Sequence, residues 1–397
     1  MIRAKEIWKS FRADPVRTLT DLREAFQRRL EGKPGGIAPQ EFSLRGLAEQ
    51  FILDDHGEPI GNDGLDAFAS GRLLESGAVS TSAFAAITQR IVNAAVLEAY
   101  NGMDLVLSRT VPVVTGRTAT ARLIAMTAPL AENKSLTVAE GQEKPIVGVY
   151  AEYVRTPESK KKAARVPITR EAVLADDTGG VLEAARRVGE LIAMEKESTL
   201  VDYLCGLVPN CVIEKRVTDS AEVMSNLFLD SGRWGNSHTN PLVDWSDIDD
   251  AEGLVLGNTM PGTGQPPLLV QRFLLVPSQL RTTAFRILNA TETRSGSSNV
   301  VASANPLAPL GITLISSPLV YSRQVAAGVA AATAKGTWFY GDLSRACRYY
   351  QLWPLEVTEE TNPGARISHD VLVEFSASEN GVPVITEPRM WTRNVPA

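Results

Sequence analysis

Apolar residues recur along this chain with periods that change several times, and each change marks an element. Within residues 1–36, Leu19, Leu22, Phe26 and Leu30 follow one another at spacings of 3, 4 and 4. That repeat is one face of an amphipathic helix, and Gly32 with the Pro34-Gly35-Gly36 run stops it. Residues 37–80 hold no sustained period, and "DDHGEPIGNDG" reads as turns. A second helix is predicted over Thr81–Gly102, where Phe84, Ile87, Ile91, Ala94 and Leu97 form a stripe. Thr81 or Ser82 can cap its start and Gly102 its end. The period then falls to two in "DLVLSRTVPVVTGRTATARLIAMT", which predicts strands.

Alternation returns in "PIVGVYAEYVRT", followed by "KKKAARVPIT". Together these predict a long two-stranded excursion over 135–170, a hairpin with Lys160, Lys161 and Lys162 near its tip. Polar residues occupy both of its faces, so it buries little apolar surface on its own chain and calls for a partner surface. The longest helix is predicted over Thr178–Gly206, with Asp177 or Thr178 as N-cap. Val181, Ala185, Val188 and Ile192 make its first stripe, which Leu191, Met194, Val201 and Leu204 continue. Residues 207–265 read as polar and turn-rich. "PPLLVQRFLLVPSQL" begins a β-rich region, "VPSQLRTTAFRILNA" adds a helix after a strand, and "NPLAPLGITLISSPLV" is a turn followed by a strand. "KGTWFYGDLSRACRYYQLWPLEVTEE" holds further strands, and "DVLVEFSASENGVPVITEPRMWTRN" closes the chain with a turn at Glu379-Asn380-Gly381.

Composition narrows the function classes. The 397 residues are 44% hydrophobic and 22% charged, with a net charge of −6. That suits a globular protein with ample core and argues against one that coats nucleic acid with its whole surface. Residues 1–36 run against the average, with nine Lys/Arg and five Asp/Glu. Their helix packs on a neighbouring element or forms an arm that meets another subunit or nucleic acid. No apolar run approaches the roughly 20 residues of a membrane span, and "MIRAKEIWKSFRADPVRT" lacks a signal-peptide core. Cys205, Cys211 and Cys347 do not make a disulfide framework, and Cys205 with Cys211 lacks zinc-knuckle spacing. His56, His238 and His369 are scattered, without metal-ligand spacing.

Catalytic signatures are equally thin. "GTGQPP" is glycine-rich but lacks the Gly-Lys-Ser/Thr ending of a phosphate loop. Gly-x-Ser-x-Gly and His-Glu-x-x-His do not occur. Asp176 and Asp177 read better as acids at the positive end of a helix dipole than as a metal pair. The lysine run has no interleaved aromatic residues of the kind single-strand binders use, and contact with an acidic surface of another subunit fits it without any special motif.

The order of these parts resembles the major capsid proteins of tailed bacteriophages. The resemblance is carried over about residues 80–395 by "VAEGQEKP", "AARVPITREAVLADD", "AMEKESTLVDYLCG", "LLVQRFLLVPSQL", "NPLAPLGITLISSPLV" and "GTWFYGDLSRACRYYQLW" together. It implies an α+β fold of the Hong Kong 97 type, with an N-terminal arm, an extended loop (a long β-hairpin), a peripheral domain with a long spine helix, and an axial domain. On that reading 1–80 is arm and linker, 81–131 an arm helix and the start of the peripheral domain, and 132–170 the extended loop. Residues 171–239 are spine and peripheral domain, 240–335 the axial domain, and 336–397 peripheral strands and C-terminus. The implied function is structural: hexamers and pentamers of one chain closing into an icosahedral shell around double-stranded DNA. The virion is then its location, after assembly in the host cytoplasm.

Portal, scaffold, protease and decoration proteins are the further partners the resemblance implies; no cofactor, metal, catalytic residue or membrane is implied. Lys160, Lys161, Lys162, Arg165, Glu140 and Lys144 are the expected inter-subunit contacts. Some members of that family join subunits by a lysine–asparagine bond, for which one of the three lysines and, by region, Asn362 are candidates. The competing readings are an encapsulin-like compartment around a cargo enzyme, a hydrolase using His238 or His369, and a nucleic-acid-binding regulator. The negative charge and the lack of a catalytic signature put the shell first.

Overall fold

The structure is a computed structural model. It describes residues 10, 13–44, 46–47, 78–103, 105–115, 123–125, 137–144, 152–169, 171–172, 175, 177–208, 214–216, 226–232, 234–260, 264–295, 301–360 and 371–396. His56, Asp176, Cys211, Asn362 and His369 lie outside these residues, as do the expected strand over 145–151 and the turns of "DDHGEPIGNDG". The helices are α1 Pro15–Leu30, α2 Ala78–Gly102, α3 Val106–Thr110, α4 Thr178–Leu204, α5 Trp245–Gly257, α6 Arg281–Asn289, α7 Pro318–Ala326, α8 Ala331–Gly336 and α9 Leu343–Ala346. The strands are β1 Val113–Thr115, β2 Leu123–Ala125, β3 Glu152–Arg155, β4 Lys160–Thr169, β5 Glu214–Arg216, β6 Ser237–Thr239 and β7 Phe273–Pro277. They continue as β8 Glu292–Ser295, β9 Val301–Ala304, β10 Thr313–Ser317, β11 Trp338–Gly341, β12 Cys347–Glu360, β13 Val371–Ile385 and β14 Trp391–Val395. The chain is thus a mixed α+β protein that divides into two compact units, each built from three separate stretches.

The first unit comprises Met1–Asp104, Lys161–Glu195 and Trp353–Asn380. Asp14 accepts the Arg17 amide at 3.0 Å and so caps α1, with Pro15 in the first turn. Of the predicted stripe, Leu22 and Phe26 are buried, and the Phe26 ring meets Phe42 edge-on at 5.9 Å. Leu30, the last residue of α1, is exposed. The start of α4 is held twice: Asp177 accepts the Gly180 amide at 3.0 Å, and the Thr178 hydroxyl accepts the Leu44 amide at 2.9 Å. One continuous core joins Ile87 and Ile91 of α2, Val181, Ala185, Val188 and Ile192 of α4, Val166 and Ile168 of β4, and Phe375 of β13.

The close meeting of α2 and α4 depends on Gly189. A Cβ there would lie 2.3 Å from the Val96 carbonyl oxygen, and a helix carbonyl cannot swing aside as a side chain can. Part of the expected α4 stripe faces outward instead: Leu191 is 62% and Met194 43% exposed. Leu191 stands about 100° round the helix from Ile192, so both cannot face one core. Tyr100 donates to Glu379 Oε2 at 3.1 Å, and burial first, then the carboxylate charge, pushes its phenol up.

The second unit comprises Leu105–Lys160, Lys196–Leu352 and Gly381–Ala397. Its centre is a five-stranded mixed sheet in the order β10-β7-β11-β14-β6, buried on both faces. Strand alternation divides the residues. Phe273, Leu275, Phe339 and Trp391 face a core with Leu200, Leu204 and Val320; Leu274, Val276, Trp338 and Tyr340 face Ile248, Ala251 and Val255 of α5 and Ala284 and Ile287 of α6. Burial on both faces explains the uninterrupted "FLLVP" of β7.

Several parts differ from the sequence expectation. Helix α5 lies inside the stretch read as turns; only three of its residues are buried, and its signal is the capping box in which Asp244 accepts the Ser246 amide and Asp247 the Asp244 amide, both at 2.8 Å. Strand β13 runs unbroken through Glu379-Asn380-Gly381, so no turn forms there. Gly381 serves a close approach instead, since a Cβ would lie 2.6 Å from the Tyr349 ring. The hairpin expected over 135–170 is also corrected: β3 pairs with β2 and β5, whereas β4 neighbours β13.

Buried and half-buried polar groups in the second unit are tied together. The Asn236 amide nitrogen lies 3.0 Å from each of the Leu227, Pro388 and Trp391 carbonyls, and its oxygen accepts the Leu229 amide at 2.9 Å. Both oxygens of buried Glu197 accept amides at the start of α3, from Leu107 at 2.9 Å and Ser108 at 2.8 Å. Arg272 holds both oxygens of Glu252 through contacts of 3.1, 3.1 and 2.8 Å, and the Tyr340 hydroxyl donates to Glu252 Oε2 at 2.5 Å. Burial raises the Glu252 carboxyl, but the hydrogen bonds from Arg272 and Tyr340 and the Arg272 charge outweigh it and hold the group below its ordinary value.

Two outcomes follow. Gly189→Ala adds helix propensity worth up to about 1 kcal/mol but forces apart two packed backbones, at about 1–3 kcal/mol. It is therefore expected to lower the unfolding midpoint, while Gly253→Ala in α5, where a Cβ meets nothing within 4 Å, raises it. Thermal unfolding of the two variants checks the opposite signs. Because Glu252 is depressed in the folded state, its contribution is complete above the ordinary carboxylate value of about 4.3 and is lost as pH falls through the lower folded value. Glu252→Gln is expected to be less stable near neutrality and to lose less stability than the parent between about pH 5 and 3, as measured by urea midpoints.

Candidate assembly surface

The expected contact residues fall at two places. Glu140 and Lys144 belong to an exposed segment, 137–144, in which the Gln142 amide donates to the Ala139 carbonyl at 3.1 Å across a tight turn. Lys160, Lys161, Lys162 and Arg165 lie along β4, the terminal strand of its sheet. Its residues alternate: Lys161, Ala163, Arg165 and Pro167 are exposed, whereas Val166 and Ile168 are buried and Lys162 and Ala164 are partly buried. The lysines thus open a strand whose other half is anchored in the core, which explains how a basic run can sit in a folded sheet. Exposed Arg165 reaches half-buried Glu374 on β13 at 3.5 Å, a surface pair worth about 1 kcal/mol or less. Edge strands in folded proteins are often marked by lysine and proline, which discourage indiscriminate pairing, and Lys161 and Pro167 serve that role on β4.

A second surface feature lies in the first unit and has no counterpart in the sequence reading. Helices α1 and α2 and strand β12 enclose a groove of about 760 Å³. Its walls carry Arg23, Phe26, Arg90, Leu97, Leu355 and Glu356. The two arginines are 67 positions apart (90 minus 23), so no local spacing announces them.

The other singled-out groups are dispersed. His238 lies exposed on β6. Cys205 and Cys347 are buried; burial pushes the Cys347 thiol up to about 12 and the Cys205 thiol higher still, away from the range of reactive thiolates. Among the described residues no group of three or more His, Cys, Asp or Glu is placed to hold a metal ion, and no helix is long and apolar enough to cross a membrane.

Comparison with known proteins gives these surfaces a context. A family model described as phage capsid protein matches residues 152–394. Among solved structures, the chain is similar to one described as Mycobacterium phage Bobi at 13% identity and a TM-score of 0.42, over 73% of this chain and 90% of that one. It is similar to the capsid of an empty GTA particle at 13% identity and a TM-score of 0.43, over 74% and 90%. A virus-like particle from Pyrococcus furiosus matches at 12% identity and a TM-score of 0.38, over 76% and 97%. No curated protein matches significantly. The assignment rests on the family match, which spans β3 to β14 and so includes most of the second unit and the 161–195 and 353–380 stretches of the first: the chain belongs to the phage capsid protein family and is a structural protein of the capsid shell.

Proposed function

We propose that copies of this chain close as hexamers and pentamers into the icosahedral head of a tailed phage, around its double-stranded DNA. The observation that carries this reading is the phage capsid family match over 152–394. In this role the 132–170 segment is the part that reaches a neighbour, 240–335 lies toward the capsomer centre, and the long helix belongs to the peripheral region. Packaged DNA meets the shell through non-specific contacts alone, since a net charge of −6 does not favour a surface that coats nucleic acid. Portal, scaffold, protease and decoration proteins are the partners such a head requires, and assembly takes place in the host cytoplasm. The phage capsid family disfavours a cargo compartment; nuclease-protected DNA inside purified particles separates the two.

Lys160, Lys161 and Lys162 supply the electrostatic part of an inter-subunit contact. Lys160 and Lys161 are exposed at the start of an edge strand, where charge meets a neighbour without disturbing the buried half. One exposed ion pair contributes about 1 kcal/mol or less, so the shell gains from repetition of the contact around a closed surface. The variant Lys160→Glu, Lys161→Glu, Lys162→Glu is expected to abolish shells in sedimentation and negative-stain images while its unfolding midpoint stays near that of the parent. Shells formed in normal yield would sink the role assigned to the lysines.

A further inference from the structure

The turn at 137–144 and the groove of the first unit carry mirrored charge. Four charged residues line the groove: Arg23, Glu31, Arg90 and Glu356. Glu31 is already engaged, by Lys33 at 2.5 Å and by the Gln27 amide at 3.0 Å. Arg23, Arg90 and Glu356 have no ion-pair or hydrogen-bond partner among the described residues, which leaves two cations and one anion facing the groove. The exposed turn has the opposite set, Glu140, Glu143 and Lys144, also without partners among the described residues. Beside its charges it offers Val138, and the groove offers Phe26 and Leu97. At about 760 Å³ the groove lies within the roughly 300–1,000 Å³ of protein binding sites.

We infer that the 137–144 turn of one copy seats in the groove between α1, α2 and β12 of another, with Glu140 and Glu143 meeting Arg23 and Arg90, and Lys144 meeting Glu356. The inference rests on the shell reading and names the receiving surface that reading leaves open. Three features support this occupant. The charges match in number as well as sign, two against two and one against one. The turn is held in shape by its own hydrogen bond, so less ordering entropy is lost on docking. Paired guanidinium and carboxylate groups in a partly enclosed groove gain more than the same groups in open water. The arrangement also gives α1 a function beyond packing, since it builds one wall.

A charge swap tests this. Arg23→Glu with Arg90→Glu, and separately Glu140→Arg with Glu143→Arg, are each expected to lower the yield of sedimenting shells at least tenfold, with circular dichroism unchanged. Combining all four substitutions restores the contact in reversed sense and is expected to recover most of the yield. In parallel, Arg90→Cys with Glu140→Cys in the full chain is expected to give ladders of linked subunits on non-reducing gels of oxidised shells. Normal assembly of either double variant, or a combined variant no better than its parents together with no ladder, overturns the inference. If the unaltered chain forms no shells or capsomers at all, the shell reading itself fails and this contact falls with it. Shells from the unaltered chain with neither rescue nor ladder overturn the contact alone.

Discussion

The second unit cannot close its central sheet until its last strand arrives. Strand β14 lies between β11 and β6, so two neighbours wait on residues 391–395 for their backbone hydrogen bonds. The insertion is locked by buried polar groups. The Trp391 indole donates to the Leu204 carbonyl at 3.0 Å, the Thr392 hydroxyl to the Tyr340 carbonyl at 3.1 Å, and the Asn236 amide to the carbonyls of Pro388 and Trp391. Each would be costly to leave unmade in an interior. The fold of this unit is therefore dominated by pairings between residues far apart in sequence, the kind that form slowly because loop closure precedes their reward. The buried frame of this unit is complete only once residues 391–395 are in place between β11 and β6.

The first unit is bounded by a different constraint, the distance between two helices. Gly189 lets α4 approach the Val96 carbonyl more closely than any other residue permits, and around that contact Ile87, Ile91, Val188 and Ile192 share one core. Residues near the N-terminus enter the same core through Leu22, Phe26, Phe42 and Leu44. The 2.9 Å bond from Leu44 to Thr178 ties them to the start of the long helix. The described part of the basic segment, 13–36, is thus part of the folded unit, which agrees with a helix packed on its neighbours. Its exposed arginines remain available to other surfaces.

What was legible in the sequence was what periodicity dictates. The helices at 15–30, 78–102 and 178–204 carry stripes at 3.6-residue spacing, and the ends marked by Gly32, Gly102 and Gly206 fall within about two residues of prediction. Strand β7 and the following helix were legible because an apolar run precedes an amphipathic one. Helix α5 was not, because its buried set is only Ile248, Ala251 and Val255 among acids, and the polarity of its neighbourhood outweighed the cap. The turn at Glu379-Asn380-Gly381 was mispredicted because Asn-Gly ordinarily turns. Here the Tyr100 hydroxyl reaches Glu379 and the Tyr349 ring occupies the space beside Gly381, so tertiary contacts overrode local preference. Of the candidate surface, the lysines were visible as a run. Their sheet partner was not, because 371–385 is more than 200 positions away, and the groove was invisible for the same reason.

Strong and weak interactions are separated in this molecule in a way that suits a shell. Contacts that must not fail are buried or half-buried and multiply bonded: buried Asn236 and Glu197 and the half-buried Glu252–Arg272 pair with Tyr340 each satisfy several atoms at once. The groups offered outward, Lys160, Lys161 and the charges of the 137–144 turn, are single and exposed. An exposed pair at about 1 kcal/mol changes an equilibrium by less than tenfold, since tenfold requires about 1.4 kcal/mol. A misplaced copy held by one such pair dissociates readily, whereas a copy engaged on all its sides is held by their sum. Rigid subunits joined by individually weak contacts can correct errors during closure and still yield a stable container. Transferring the strong networks to the interface would forfeit that correction, and leaving the interior to exposed pairs would forfeit the rigidity on which repeated geometry depends.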